Sequence, residues 1–408
     1  MASFFYQIAI FLYALGVRVA SLFNQKAKLF ISGRKDIWQK LKALNKPNIV
    51  WFHAASLGEF EQGKPVMEQL KKNRPEINLV VTFFSPSGYE EKKDWPLADV
   101  FYLPIDSKRN AKKLVQILQP KLAVFIRYEF WANYMDALYT ANIPTTVIAA
   151  QFRKDQFAFK PLGSFIRKKI ARMDAILVQY ESAQKLLLAF GFDENKTAVC
   201  GDSRFDRVLA TVEHAKHVAE IEAFKGDAPV LILGSCYEKE EAFVAEVYNN
   251  YPDWKFIYAP HYVDDARVSQ LKKRLPGDAI RITNYQKGNE RILILNTIGK
   301  LAAAYQYGDI AVVGGGFRDG IHNILEPAAF GLPVFYGPNH NAFPEGQALI
   351  DEKLGFEIDT NGNAKAKLLE FMSSAENIAE HKKKLQQFVK NHAGATKCIT
   401  NKLESYLN

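Results

Sequence analysis

The chain has 408 residues, 48% of them apolar and 24% charged. That is the length of two or three ordinary domains, and it excludes a disordered tail, a fibre or a disulfide-built miniprotein. The net charge of +9 is uneven, because residues 1–45 carry seven basic residues (Arg18, Lys26, Lys28, Arg34, Lys35, Lys40, Lys42) against one acid, Asp36, and so supply +6 of it. Cys200, Cys236 and Cys398 are far apart and without Cys-x-x-Cys spacing. They support neither a disulfide framework nor a thiolate zinc site, and a reducing compartment is the default.

The chain opens on an apolar run, Ser3 to Val17, with Gln7 its one strongly polar side chain and Arg18 directly after it. A secretory signal has the opposite order, with charge first and a small-residue cleavage site after. Fifteen residues fall short of the ~20 that cross a bilayer, although Val19, Ala20, Leu22 and Phe23 extend the run if Arg18 snorkels. Spanning, interfacial docking and a buried helix of a soluble protein are the three readings. The first two put the basic flank and the rest of the chain on the cytoplasmic side of a membrane. Residues 1–36 are assigned to this anchor and its flank.

From residue 48 short apolar runs alternate with amphipathic stretches. NIVWFHA (48–54), NLVVTFF (78–84), VFYLP (100–104), LAVFI (122–126), TTVIAA (145–150) and AILV (175–178) predict buried parallel strands. A second series follows: VLILG (230–234), KFIYA (255–259), RILIL (291–295), DIAVVGG (309–315) and PVFYG (333–337). The spacing predicts two successive doubly wound α/β domains, 37–206 and 227–408, joined by a helix and linker over 207–226. The lysines near the end, Lys382, Lys383, Lys384 and Lys390, read as one solvated helix face.

Three constellations can carry chemistry. In WFHAASLGEFEQGKPV (51–66) a strand runs into Ala54-Ala55-Ser56-Leu57-Gly58-Glu59, where small residues admit a ligand and Glu59 starts a helix on the carboxyl edge of the sheet. Such a carboxylate can be a general base, or simply a helix N-terminal acid favourable to the dipole. In FIRYEFWAN (125–133), Glu129 beside Trp131 follows another strand, either as a second acid of one cleft or as a helix-start or salt-bridge residue. In residues 308–338, Gly314, Gly315 and Gly316 form either a bare tight turn or one that a phosphate can approach, and His322-Asn323 and Glu326 then open a helix. Glu326 could accept both hydroxyls of a ribose, which makes this a nucleotide-sugar reading. The dinucleotide fingerprint would fall in the first βα turn instead, and Ala54-Ala55-Ser56-Leu57-Gly58 does not supply it.

His214 and His217, flanked by Glu213 and Glu220, read as a solvated face, no Asp-x-Asp follows a strand, and no metal is expected. Residues 152–172 interleave Arg153, Lys154, Lys160, Arg167, Lys168, Lys169 and Arg172 with Phe152, Phe157, Phe159 and Phe165. No RNA-binding motif accompanies them, so no nucleic acid is expected. The mixture suits phosphorylated lipid headgroups with acyl chains, or an ordinary exposed helix.

Taken in order, these segments resemble one family, the Kdo (3-deoxy-D-manno-octulosonic acid) transferases of lipopolysaccharide assembly. The resemblance runs through WFHAASLGE (51–59), TFFSPSGYE (82–90), YLPIDS (102–107), YEFWAN (128–133), GDSRFD (201–206), GSCYEKEE (234–241), IGKLAAAY (298–305) and GIHNILEPAAFGLPVFYGP (320–338). It implies a GT-B glycosyltransferase of two Rossmann-like domains facing across a cleft that closes to exclude water. The implied reaction is transfer of Kdo from CMP-Kdo to the lipid A precursor, with inversion and without metal. It puts the catalytic base on Glu59 and a second essential acid on Glu129. Donor contacts fall on Ser235, His261, Ile298, Gly299, Gly315, Gly316, His322, Asn323 and Glu326, with Arg204 as a cation for phosphate or the Kdo carboxylate. Acceptor or lipid contacts fall on Ser56, Gly58, Arg153, Lys154, Lys160, Arg167 and Lys168. Two segments depart from the family pattern. Ala259-Pro260-His261-Tyr262-Val263-Asp264 lacks the arginine of Pro-Arg-His-Pro-Glu, and in Arg127-Tyr128-Glu129-Phe130-Trp131 an arginine replaces an acid.

Overall fold

In a computed structural model describing residues 2–286, 288–359 and 361–407, the chain forms two α/β units, Met1–Asp206 with Ala393–Asn408, and Arg207–His392. Among the described residues the first unit carries seven parallel strands: β1 (Ile49–Ala54), β2 (Asn78–Phe83), β3 (Ala98–Tyr102), β4 (Leu122–Ile126), β5 (Thr145–Ala150), β6 (Ala175–Val178) and β7 (Thr197–Val199). Their order is β3-β2-β1-β4-β5-β6-β7, so the winding reverses between β1 and β4. The second unit carries β8 (Val230–Cys236), β9 (Lys255–Pro260), β10 (Ala279–Arg281), β11 (Ile292–Ile294), β12 (Ile310–Val313), β13 (Val334–Tyr336) and β14 (Gly355–Glu357). Here the order is β10-β11-β9-β8-β12-β13-β14, with the reversal between β8 and β12. Ligands of open α/β sheets bind at the carboxyl ends of strands at such a reversal.

Both sheets are buried on both faces, as continuous apolar runs require. Along β1 the side chains alternate: Ile49 and Trp51 enter one core with Leu114 and Phe125, and Val50, Phe52 and Ala54 enter the other with Phe60, Val66 and Leu70. The expected strands are all present, and β7, β10 and β14 are additional. Each of these is three residues long and lies at a sheet edge, where little apolar sequence is needed.

Three expectations are corrected. Residues 207–226 are not a free linker: Val218, Ile221 and Phe224 are buried in the second unit with Val230 and Ile232. The last residues do not belong to the second domain. The helix Ala395–Glu404 buries Ile399 and Leu403 against Val66, Met67 and Leu70 of the helix Leu57–Asn73, in the first unit. Finally, Cys200 and Cys398 form a disulfide across a sequence separation of 198, with Cα atoms 5.5 Å apart. Only the return of the chain to its first unit brings them together, and local spacing carries no trace of that. Cys236 remains free and buried.

Asp206 fastens the same junction. Its carboxylate accepts from the Gly394 and Thr396 N–H groups at 2.6 and 2.8 Å and from the Thr396 hydroxyl at 3.0 Å, satisfying donors at the start of the terminal helix. Asp206→Ala is expected to cost about 1–2 kcal/mol, read as a lower urea midpoint with an unchanged slope.

Candidate active site

At the reversal of the first sheet, β1 runs through Ala55 into an extended Ser56 (φ −138, ψ 169) and then the helix Leu57–Asn73. Glu59 lies in the first helical turn, buried, and folds its carboxylate back to accept the Ala55 N–H, with Ser56 N–H as a second donor. Ser56 is half-buried and Gly58 exposed, and a Cβ added at Gly58 would meet nothing within 4 Å. Next door, β4 runs into Arg127, which takes the left-handed conformation (φ 67) and turns the chain toward Glu129 and Trp131. Because β1 and β4 are hydrogen-bonded neighbours, the two acids leave the same edge side by side. Burial pushes Glu59 up to about 7, against the opposing pull of the Ala55 N–H and the Arg127 charge. Burial first, and then the charge of Glu59, push Glu129 up to about 8.

Beneath the acids lies an imidazole whose sequence pattern marks only a strand position. His53 is buried, and burial lowers it to about 3, so the ring is neutral. Trp131 Nε1–H donates to His53 Nε2 at 3.1 Å, which leaves Nδ1 to carry the proton and donate to the Thr82 carbonyl at 2.9 Å. The 4.0 Å approach of Glu129 to His53 is therefore not an ion pair. Arg127 donates to Gln151 at 3.0 Å, while its buried Nε has no partner among the described residues. Period-two patterning marks His53 as buried and nothing more, and Arg127 stood out only as a departure.

The second reversal gathers a different set. Ser235, next to last in β8, takes the left-handed conformation (φ 50), and a Cβ on Gly314, after β12, would lie 2.1 Å from the Ser235 carbonyl oxygen. Gly315 has φ 93 and donates its N–H to buried Glu240 at 3.0 Å; its added Cβ would lie 3.0 Å from His322 Cδ2. His322 and His261 stack with ring centroids 4.5 Å apart and planes 14° apart, and Tyr237 stacks on both, at 5.8 and 5.2 Å. Burial and then His261 lower His322 to about 4; burial and then Arg318 lower His261, so both rings are neutral donors or acceptors at pH 7. For Tyr237 the sequence offers one signal, its place directly after the apolar run of β8. Asn323 accepts the Leu325 N–H at 3.1 Å, opening the helix Leu325–Phe330. Burial raises Glu326, and Arg207, 4.0 Å away, opposes this. Ile298 and Gly299 stand exposed on the loop after β11, with Gly299 at φ 90.

Other expected positions are scattered. Arg204 belongs to the first unit and engages both carboxylate oxygens of Asp202, Nη2 to Oδ2 at 2.6 Å and Nε to Oδ1 at 3.2 Å. Residues 152–172 are not one helix. They form 3₁₀ turns at Phe157–Phe159 and Pro161–Gly163 and then the helix Ser164–Ile170, because Pro161 interrupts and Gly163 must pass the Phe157 carbonyl. Arg153, Lys154, Lys160 and Lys168 are exposed there beside exposed Phe157 and Leu162, whereas Arg167 is turned inward onto the Ala158 carbonyl at 2.7 Å. Among the described residues no three His, Cys, Asp or Glu stand close enough to hold a metal ion.

Residues 31–207, which contain Glu59, Glu129 and Arg204, match the family model described as 3-deoxy-D-manno-octulosonic-acid transferase (Kdo transferase). Relatives named 3-deoxy-D-manno-octulosonic acid transferase extend the likeness into the second unit. One from Haemophilus influenzae is 25% identical over 82% of this chain and 81% of its own, and one from Aquifex aeolicus is 26% identical over 86% and 93%. The chain is similar to the Kdo transferases over residues 31–207 and, through these relatives, over most of its length. Its two Rossmann-like units are shared more widely. A UDP-N-acetylglucosamine 2-epimerase structure from Listeria monocytogenes superposes with a TM-score of 0.63 at 17% identity, covering 88% of this chain and 96% of the other. Within this fold, the two acids lie at one sheet reversal and the histidine–glycine cluster at the other.

Proposed function

We propose that this transferase moves Kdo from CMP-Kdo to a hydroxyl of the lipid A precursor, with inversion at the donor anomeric carbon, at the cytoplasmic face of the inner membrane. The observation that carries the reading is the pair of carboxyls at the ends of neighbouring strands β1 and β4, both lifted by burial into the range where protons move at neutral pH. Glu59 is the base: it takes the proton of the acceptor hydroxyl as that oxygen bonds to the ketosidic carbon, and the carbon–oxygen bond to CMP breaks on the opposite face, its electron pair leaving with the phosphate. Glu129, lifted further, keeps its proton and donates a hydrogen bond. The stacked His261, His322 and Tyr237, the glycine turn at Gly315 and Gly316, and Asn323, Glu326, Ser235, Ile298 and Gly299 receive the donor.

Arg153, Lys154, Lys160 and Lys168 beside Phe157 and Leu162 suit the phosphates and acyl chains of the acceptor. Membrane attachment falls to the helix Ala2–Ala20, in which no residue is buried and Phe4, Phe5, Phe11, Leu12 and Leu15 are exposed. The reaction takes no metal, so EDTA is expected to leave the rate unchanged.

The test is transfer to radiolabelled lipid A precursor by detergent-solubilised protein, with CMP-Kdo generated in place. A Kdo-bearing product, inhibited by CMP and not by UDP, is the expected result. Inhibition by UDP alone, with no Kdo product, would overturn the donor.

A further inference from the structure

The N-terminal helix is more than an attachment. Residues Ala2, Tyr6, Gln7, Ile10, Ala14 and Val17 are half-buried at helical spacing, so one stripe of the helix lies on the first unit while the opposite face stays open. The stripe is keyed to one place. Tyr6 donates its hydroxyl hydrogen to Asp106 at 2.6 Å and accepts the Ala132 N–H at 3.3 Å. Gln7 Nε2 donates to Asn133 Oδ1 at 2.7 Å. Buried Asp106 in turn accepts the N–H groups of Asn133 and Tyr134, each at 3.1 Å. The first three N–H groups of the helix Ala132–Thr140, which would otherwise lack partners, are thus satisfied by Tyr6 and Asp106. That helix begins directly after Glu129-Phe130-Trp131, and Trp131 at its N-cap supplies no side-chain cap of its own. On its far side Trp131 meets Phe84, ring centroids 4.4 Å apart, and Phe84 stacks on Tyr13 of the N-terminal helix at 5.8 Å.

We infer that Tyr6 and Gln7 are positioning residues: the helix that enters lipid by its open face sets, by its other face, the turn that presents Glu129. The inference rests on the role proposed for Glu129. Because the keyed residues lie within the helix rather than at its end, the helix lies along the protein surface and meets the membrane sideways. Membrane contact and the order of the active site then share one element.

Tyr6→Phe removes the hydroxyl and leaves the apolar face intact, and Gln7→Leu likewise removes one pair of hydrogen bonds. In full-length protein, kcat per CMP-binding site is expected to fall by roughly tenfold to a hundredfold in Tyr6→Phe, since small misplacements of reacting groups cost that much. The KM for CMP-Kdo and binding to vesicles of phosphatidylglycerol and phosphatidylethanolamine are expected to stay at wild-type values. Amide hydrogen exchange at 132–134 is expected to speed up in both variants. Unchanged kcat overturns the inference, and so does a loss of kcat matched by an equal loss of vesicle binding. If wild-type protein transfers no Kdo, the proposed reaction fails, and the exchange rates at 132–134 still decide the keying: unchanged rates in both variants refute it.

Discussion

Glu59→Gln will lower turnover about 100-fold or more while making the protein more stable at alkaline pH. Glutamine keeps an oxygen for the Ala55 N–H, so the turn after β1 is retained and only the proton acceptor is lost. In the wild type, transfer should rise with pH through about 7 as Glu59 ionises, and this limb should vanish in the variant. The stability effect has the opposite sign from that of a salt-bridged acid. The folded-state value is raised by burial, so between the ordinary carboxylate range and about 7 the unfolded chain binds fewer protons than the folded one, and stability falls as pH rises through that window. Removing the charge should return on the order of 2 kcal/mol at pH 8 and almost nothing at pH 4. Thermal unfolding at the two pH values, set beside single-turnover rates, checks both halves. Wild-type-like turnover would remove Glu59 from the role of base.

Gly316→Ala should damage the second unit at the turn after β12. A Cβ at this position would lie 2.6 Å from the nitrogen and oxygen of Gly337, and one at Gly337 would lie 2.6 Å from the carbonyl carbon of Gly316. Both partners are backbone at the carboxyl ends of β12 and β13, with no flexible side chain to give way, so the strands must part. Overpacking of this kind costs typically 1–3 kcal/mol and sometimes more. The displaced turn also carries Gly315 and His322, so CMP affinity is expected to drop by at least about tenfold, or ~1.4 kcal/mol. Titration calorimetry with CMP measures it, and wild-type affinity would show that this turn does not hold the donor.

Much of this was legible in residue patterns, and the limits have physical causes. Continuous Val, Ile and Phe runs reveal strands buried on both faces, which is why β1, β4, β8 and β12 could be read, and with them the turns bearing Glu59, Glu129 and Gly314 to Gly316. Edge strands such as β7 and β10 need no such runs. The neutral state of His53 depends on Trp131 and Thr82, 78 and 29 residues away, so no local window contains it. Arg204 sits at a motif position, yet its partner Asp202 two residues earlier already engages it. The pairing of Cys200 with Cys398 follows from topology alone.

The return of the chain end to the first unit has a consequence for synthesis. When the ribosome has released residues 1–206, the sheet from β1 to β7 is complete, but Val66, Met67 and Leu70 still lack Ile399 and Leu403, and Cys200 lacks its partner. The acid-bearing half is therefore the first begun and the last finished. A nascent chain holds Glu59 and Glu129 on an unsealed scaffold until residues 395–404 have emerged. Truncation within the last dozen residues should therefore be felt in the half of the protein farthest from it in sequence.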